Sequence, residues 1–187
     1  MFVHLHCHSH YSFLRGVASP EEIVAAAVEQ NMPAVALTDT NGLYAAVSFY
    51  QAAKKAGVKP IVGVALDVGW SQDRREIPRF ARTDGNKSSA TLVLLATNME
   101  GYSSLCQLVT LRHLGTTKLA QNAAAAEIDG RPVTMQELAE HSRGVIALCS
   151  GTSPESLVTS HQSPVANHFS QLKEIFGDRL YIEVRHL

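Results

Sequence analysis

An α/β fold with a mainly parallel sheet or barrel is predicted for this chain of 187 residues. Three features carry the prediction. Short, nearly continuous apolar runs recur at 34–38, 61–66 and 91–96, as strands buried on both faces require. Amphipathic segments alternate with these runs and open on cap-and-proline signals. Glycine or proline closes several of the segments.

The elements follow in order. Residues 2–6 read as a first strand, because His4, His6, His8 and His10 alternate with Val3, Leu5 and Cys7. Such a strand puts its imidazoles on one face, towards a cavity, and its apolar side against helices. Ser19-Pro20-Glu21-Glu22 opens a helix with a capping box, and Ile23, Val24, Ala27 and Val28 form its buried stripe. Pro33 ends it, and 34–38 is the second strand. Residues 42–56 place Leu43, Ala46, Val47, Tyr50 and Ala53 at helical spacing, with Gly57 as the stop. The third strand is 61–66. The polar stretch 69–90 has a turn at Thr83–Asn86, and 91–96 is the fourth strand. Asn98 caps a helix carrying Tyr102, Leu105, Leu108 and Val109. Residues 113–133 are weakly patterned and read as loop. Thr134 to Glu137 forms a second capping box, and 145–149 is the fifth strand. Ser153-Pro154 and Ser163-Pro164 read as helix starts. The second of these leads through Val165, Phe169, Leu172 and Phe176 to Gly177, and 180–185 is the sixth strand.

Bulk properties narrow the function. Net charge is −1 and 45% of residues are hydrophobic, which describes a globular chain with no overall electrostatic pull towards DNA or anionic membrane. Cys7, Cys106 and Cys149 are too few and too dispersed for a disulfide framework, so a reducing compartment is expected. The sequence has neither a long apolar run nor a signal-peptide layout, so the expectation is a soluble cytoplasmic protein without membrane contact.

Imidazole suits zinc, manganese and iron, and a His-x-His pair on a strand aims two nitrogens at one point. His6 and His8 are therefore metal-ligand candidates. In α/β folds the chemistry lies at the C-terminal ends of strands, which draws attention to 38–41, 64–67, 149–152 and 183–186.

The segments HLHCHSHYSFL, ASPEEIV, ALTDTNGLYAAVSFYQAAKKAGVKPIVGV and LVLLATNMEGYSSLCQLVT resemble the polymerase and histidinol phosphatase (PHP) domain. More narrowly, they resemble the N-terminal PHP domain of bacterial C-family polymerases (the DNA polymerase III alpha subunit), with wording that leans towards the error-prone branch. The resemblance implies a distorted (β/α)7-type barrel. One to three metal ions at its mouth activate water for phosphoester cleavage. It also implies a single domain over 1–187 that is truncated after the sixth strand.

On this resemblance His6 and His8 match the opening ligand pair. His186 matches a further histidine, with a register uncertain by one. The family's acidic ligand in a Leu-Asp-Gly sequence falls on Arg15, its Thr-Asp-His histidine on Thr40, and its glutamate after the third strand on Ala65. Guanidinium cannot ligate a cation, and Thr40 and Ala65 remove a nitrogen and a carboxylate. The expected metal site is therefore degenerate, holding no ion or one weakly held zinc, and no catalytic residue is assigned. His4, His10, Arg15, Asp39, Thr40 and Cys149 are candidate cavity-lining residues. Each has a plainer alternative. His4 and His10 would be hydrogen-bonding residues at the mouth, Arg15 a solvated side chain, Asp39 a cap for the following helix and Cys149 a packed thiol. Cys7 falls on the apolar side.

The expected function is that of a structural module in an error-prone or repair DNA polymerase. Its partners would be the other domains of the alpha subunit, and DNA would be met only through the parent protein. The alternative is a metal-dependent phosphoesterase or 3′–5′ exonuclease. A free-standing binding protein is a third reading, in which an unpaired sheet edge would promote self-association.

Overall fold

The computed structural model describes residues 2–69, 89–114, 131–150 and 164–183. Helix α1 (Pro20–Glu29) starts at the expected capping box. Ser19 Oγ accepts from the Glu22 N–H, and the Glu22 carboxylate accepts from the Ser19 N–H at 2.7 Å. Strand β1 (Ala34–Thr40), helix α2 (Ala46–Ala56) and strand β2 (Lys59–Gly69) follow, with Gly57 in the left-handed conformation at φ 75° closing α2. Strand β3 (Ser89–Ala96) leads to helix α3 (Met99–Leu114), where the Asn98 side chain accepts from the Gly101 N–H. Strand β4 (Val133–Thr134) and helix α4 (Met135–Glu140) share the second capping box. Strand β5 (Val145–Ser150), helix α5 (Pro164–Phe176) and strand β6 (Leu180–Glu183) complete the described elements.

The strands form one sheet in the order β1-β2-β3-β5-β6, with β4 paired to the end of β2. The β1–β2, β2–β4 and β5–β6 pairs are parallel, whereas β3 runs antiparallel to both β2 and β5. The sheet is thus mixed rather than mainly parallel. The physical reason is that no described helix separates β2 from β3, and a direct return gives an antiparallel neighbour. The expected turn at 83–86 and the helix start at 153–154 lie outside the described residues.

Two layers follow from strand alternation. Val64, Leu66, Leu92, Leu94, Val145 and Ala147 face outward and pack with Leu105 and Leu108 of α3 and with Leu172 and Phe176 of α5. Val35 and Leu37 pack with Val24 and Ala27 of α1 and with Phe49 and Ala53 of α2. The opposite parity faces inward. Ala36, Ala65, Val93, Leu95 and Leu148 form a buried inner cluster beside Ile61 and Ile146. The chain is tightest where α3 crosses the turn before β5. A Cβ at Gly101 would overlap the Gly144 carbonyl, and Gly144 itself sits at φ 66°.

Two expectations change here. In α2 the buried stripe is Ala46, Phe49 and Ala53, while Val47 and Tyr50 are exposed. The helix starts at Ala46, so its inward face is rotated from the one counted from residue 42. The N-terminal segment is not a strand. His4 O accepts from the Ala36 N–H and Cys7 O from the Thr38 N–H, so three residues of the segment span two of β1. That mismatch bulges the chain at Leu5–His6 and prevents a regular ladder.

Candidate metal centre

The bulged segment lies along the free side of β1 and brings its histidines round to the far end of the sheet. His6 Nδ1 meets Glu183 Oε1 at 2.9 Å and Oε2 at 3.1 Å, which joins the N-terminal segment to β6 across the interior. On the other side of the ring, His6 Nε2 lies 3.1 Å from His8 Nε2. The His6 and Glu183 side chains are only 12% and 17% exposed. The donors in this row follow from what each group can offer. A carboxylate accepts, so His6 Nδ1 donates. The neutral ring then has a lone pair at Nε2, and His8 Nε2–H donates to it.

These residues wall a cavity of about 1120 Å³ on the inner face. His4, His6, His8 and Glu183 form part of its lining, opposite Ile146 and Leu148. The His4 ring stands edge-on to Phe2, with centroids 4.7 Å apart. Ala65 is fully buried within the apolar inner cluster. Thr40 is half-buried, its N–H donates to Ser12 Oγ at 3.0 Å, and its own hydroxyl has no hydrogen-bond partner among the described residues.

Several predicted site residues are placed elsewhere. Asp39 is buried at 2% exposure and does not cap a helix. Its Oδ1 accepts from the Ser9 N–H at 2.7 Å and from Ser12 Oγ at 2.6 Å, and its Oδ2 accepts from Ser9 Oγ at 2.7 Å. It fastens the loop after His8 to β1. Arg15 is exposed on that loop and does not line the cavity, so its charge is not directed into the cage as the replacement suggests. His10 is exposed beside Tyr11. Cys149 packs in the outer core with α3 and α5, and burial pushes its thiol pKa up. Cys7 packs against the α1–α2 core, and burial pushes its thiol up to about 11. His186 lies outside the described residues.

The sequence was silent on two features. Glu183 fell inside a range of interest but was not singled out, although its inward parity at the end of β6 is the signal that finds it. The second is a polar cluster at the end of β2. Asp67 accepts from Arg112 Nη2 at 3.3 Å, from Thr91 Oγ1 at 3.0 Å and from Asn41 Nδ2 at 2.8 Å, and its N–H donates to Asn41 Oδ1. His113 Nε2 reaches the Asn41 carbonyl at 2.9 Å. Arg112 is 3% exposed, an ionic group inside a helix that reads as apolar.

A polynuclear centre needs bridging carboxylates and several donors per ion. Among the described residues no group of three His, Cys, Asp or Glu side chains surrounds one point. His6 Nε2 and His8 Nε2 can turn to a common ion. Glu183 sits on the opposite nitrogen of His6, so it orients that ring rather than joining the same ion. The residues present therefore do not fit a metal cluster.

An α/β sheet with outer helices, whose inner face carries converging imidazoles, is the framework of a metallohydrolase-type barrel. Residues 4–186 match the PHP domain model, and the chain belongs to the PHP domain family. It is 32% identical over 190 residues to DNA polymerase III subunit alpha of Borreliella burgdorferi, covering 98% of this chain and 15% of that protein. It is 34% identical over 186 residues to the error-prone DNA polymerase of an Anaeromyxobacter species, covering 99% of this chain and 14% of that protein. The chain thus spans about one seventh of the length of these curated relatives. Among solved structures, an amidohydrolase from Chromobacterium violaceum superposes with TM-score 0.62 at 12% identity, over 94% of this chain and 74% of that one. A protein from Bifidobacterium adolescentis described as a metal-dependent phosphoesterase gives 0.54 at 11% identity, over 97% of this chain and 76% of that one. At such identities these are likenesses of fold. No described helix is long and apolar enough to cross a membrane.

Proposed function

We propose that this PHP domain serves a bacterial C-family DNA polymerase of the error-prone branch as a structural module with a decayed metal site. The rest of such a subunit would supply nucleotidyl transfer, and this chain would supply a packed support. One observation carries the reading. Thr40 and Ala65 stand where the family places a histidine and a glutamate, and Ala65 is sealed in apolar contacts. What is left is a pair of imidazoles with a carboxylate already engaged on one of them. Such a pair holds at most one ion, weakly, and His186 is the further donor the family resemblance offers.

A phosphoesterase or exonuclease reading has one observation in its favour. The Glu183–His6 contact is the carboxylate–imidazole arrangement that tunes metal-bound histidines. Elemental analysis of the purified chain, together with turnover of bis(p-nitrophenyl) phosphate in zinc or manganese, separates the two. The module reading expects at most one equivalent of metal, lost on dialysis, and no turnover that His6→Ala removes. Two or more retained equivalents, with turnover abolished by that substitution, would establish the enzyme instead.

A further inference from the structure

We propose that the loop after the histidine pair and the start of α2 together form a stacking platform for single-stranded nucleic acid. This surface is separate from the cavity and does not depend on whether an ion binds there. Its centre is a row of rings. His10 and Tyr11 lie with centroids 4.5 Å apart at 34°, and Tyr11 and Tyr44 lie 6.4 Å apart at 26°. Tyr11 is 49% exposed and Tyr44 is 64% exposed, so faces and edges of both rings are open to solvent. A spacing of 6.4 Å between near-parallel rings is close to twice the roughly 3.4 Å thickness of an aromatic ring, so a planar base enters between them with little opening.

The rings are held rather than loosely displayed. Tyr11 sits between Ser9 and Ser12, both fastened to buried Asp39, and its N–H reaches Ser9 Oγ. Tyr44 lies directly over Gly42, where a Cβ would overlap the ring. Beyond Tyr44, exposed Val47, Tyr50 and Lys54 continue one face of α2 at spacings of three and four residues.

Charge singles out a nucleic acid from an apolar protein partner. Residues 1–18 and 40–66 contain Arg15, Lys54, Lys55 and Lys59 and not one carboxylate, although the whole chain has net charge −1. Net neutrality therefore hides a cationic sector that coincides with the rings. Glu22, whose charge reaches His10, is turned onto the Ser19 N–H in its capping box. Cations for phosphates beside flat rings for bases are the two parts of a sequence-tolerant single-strand site.

The test is fluorescence anisotropy with labelled 12-mers of deoxythymidine and of uridine, using the intact chain at 50 mM salt. Binding should weaken with salt, and 2-aminopurine placed in the strand should report stacking. Tyr11→Ala and Tyr44→Ala should each weaken binding by roughly tenfold. The conservative Tyr11→Phe and Tyr44→Phe should keep it within about twofold, because a phenyl face stacks as well. Gly42→Ala, which displaces the Tyr44 ring, should behave like Tyr44→Ala. A preference between the two 12-mers would assign the platform to DNA or to RNA. No saturable binding to either oligomer would overturn the proposal and leave the patch as a protein-docking surface. Equal affinity of the wild type and the Tyr11→Ala/Tyr44→Ala double variant would overturn it as well.

Discussion

Replacing Asp39 tests whether one buried carboxylate holds the histidine segment in place. It accepts three hydrogen bonds of 2.6–2.7 Å, from the Ser9 N–H, Ser9 Oγ and Ser12 Oγ. Bonds to a charged acceptor are worth roughly 1.5–3 kcal/mol each, but three on one carboxylate are not additive. Ser9 and Ser12 are 0% and 1% exposed, so water cannot easily replace the lost acceptor. Asp39→Ala should therefore cost about 4 kcal/mol, a large share of a domain's total stability. Asp39→Asn keeps one oxygen for the Ser9 N–H and Ser12 Oγ and faces its amide to a hydroxyl that can turn round and accept. It should cost only about 1–2 kcal/mol. In urea unfolding followed by circular dichroism, a slope near 2 kcal/mol/M converts these into midpoint losses of about 2 M and below 1 M. An alanine variant within about 1 kcal/mol of wild type would refute the clamp. An asparagine variant as damaged as the alanine one would show that charge, rather than the number of accepted bonds, sustains it.

Three further outcomes follow from other contacts. Asp67→Ala withdraws a carboxylate from Arg112, Thr91 and Asn41 at once and should cost about 3–5 kcal/mol in thermal or urea unfolding, with much of it recovered when Arg112→Met is added. Gly101→Ala places a methyl against the Gly144 carbonyl and should lower stability by about 1–3 kcal/mol, whereas alanine's better helix propensity alone would raise it. Cys7 is held up to about 11 by burial, so at pH 8 only about one thiol in a thousand is ionised and iodoacetamide should modify it far more slowly than the same cysteine in urea. The unfolded thiol ionises first, so this group's contribution is present below pH 9 and is lost as pH rises from about 9 to 11.

What the sequence revealed depended on how local the controlling interaction was. Both capping boxes, at Ser19 and Thr134, were legible because they are closed within four residues. The strand cores at 34–38, 61–66, 91–96 and 145–149 were legible because burial on both faces leaves a continuous apolar run. The reversed direction of β3 was not, since direction depends on the connection and not on the strand's own residues. The histidine alternation gave the facing of His6 and His8 correctly while misjudging the segment as a strand. A bulge keeps two side chains together yet breaks the ladder that defines a strand. Glu183 and the Asp67–Arg112 pair were invisible because each is a contact between residues 45 or more positions apart. Exposure of Val47 and Tyr50 was missed because apolar residues at helical spacing read as core wherever the helix is assumed to begin.

On the proposed reading, the state of the cage also has a physical logic. A cluster site without its ions is a liability, because several carboxylates crowded in a poorly solvated cavity repel one another and lose hydration. Once one donor is gone and the ions are held less tightly, each remaining carboxylate costs more than it returns. Apolar or small replacements then stabilise the fold. Ala65 fits this sequence of events, for it sits among Ala36, Val93, Leu95 and Leu148 where a carboxylate would have no partner. Glu183 fits it from the other side, since the acid that remains lies on an imidazole N–H. Ala65→Glu is the informative reversal. Without metal it should destabilise the chain by placing an acid in the apolar inner cluster. If the cage is decayed beyond repair, added zinc or manganese should return none of that loss. Full recovery of the melting temperature by millimolar metal would mean that the imidazole pair still organises a working site.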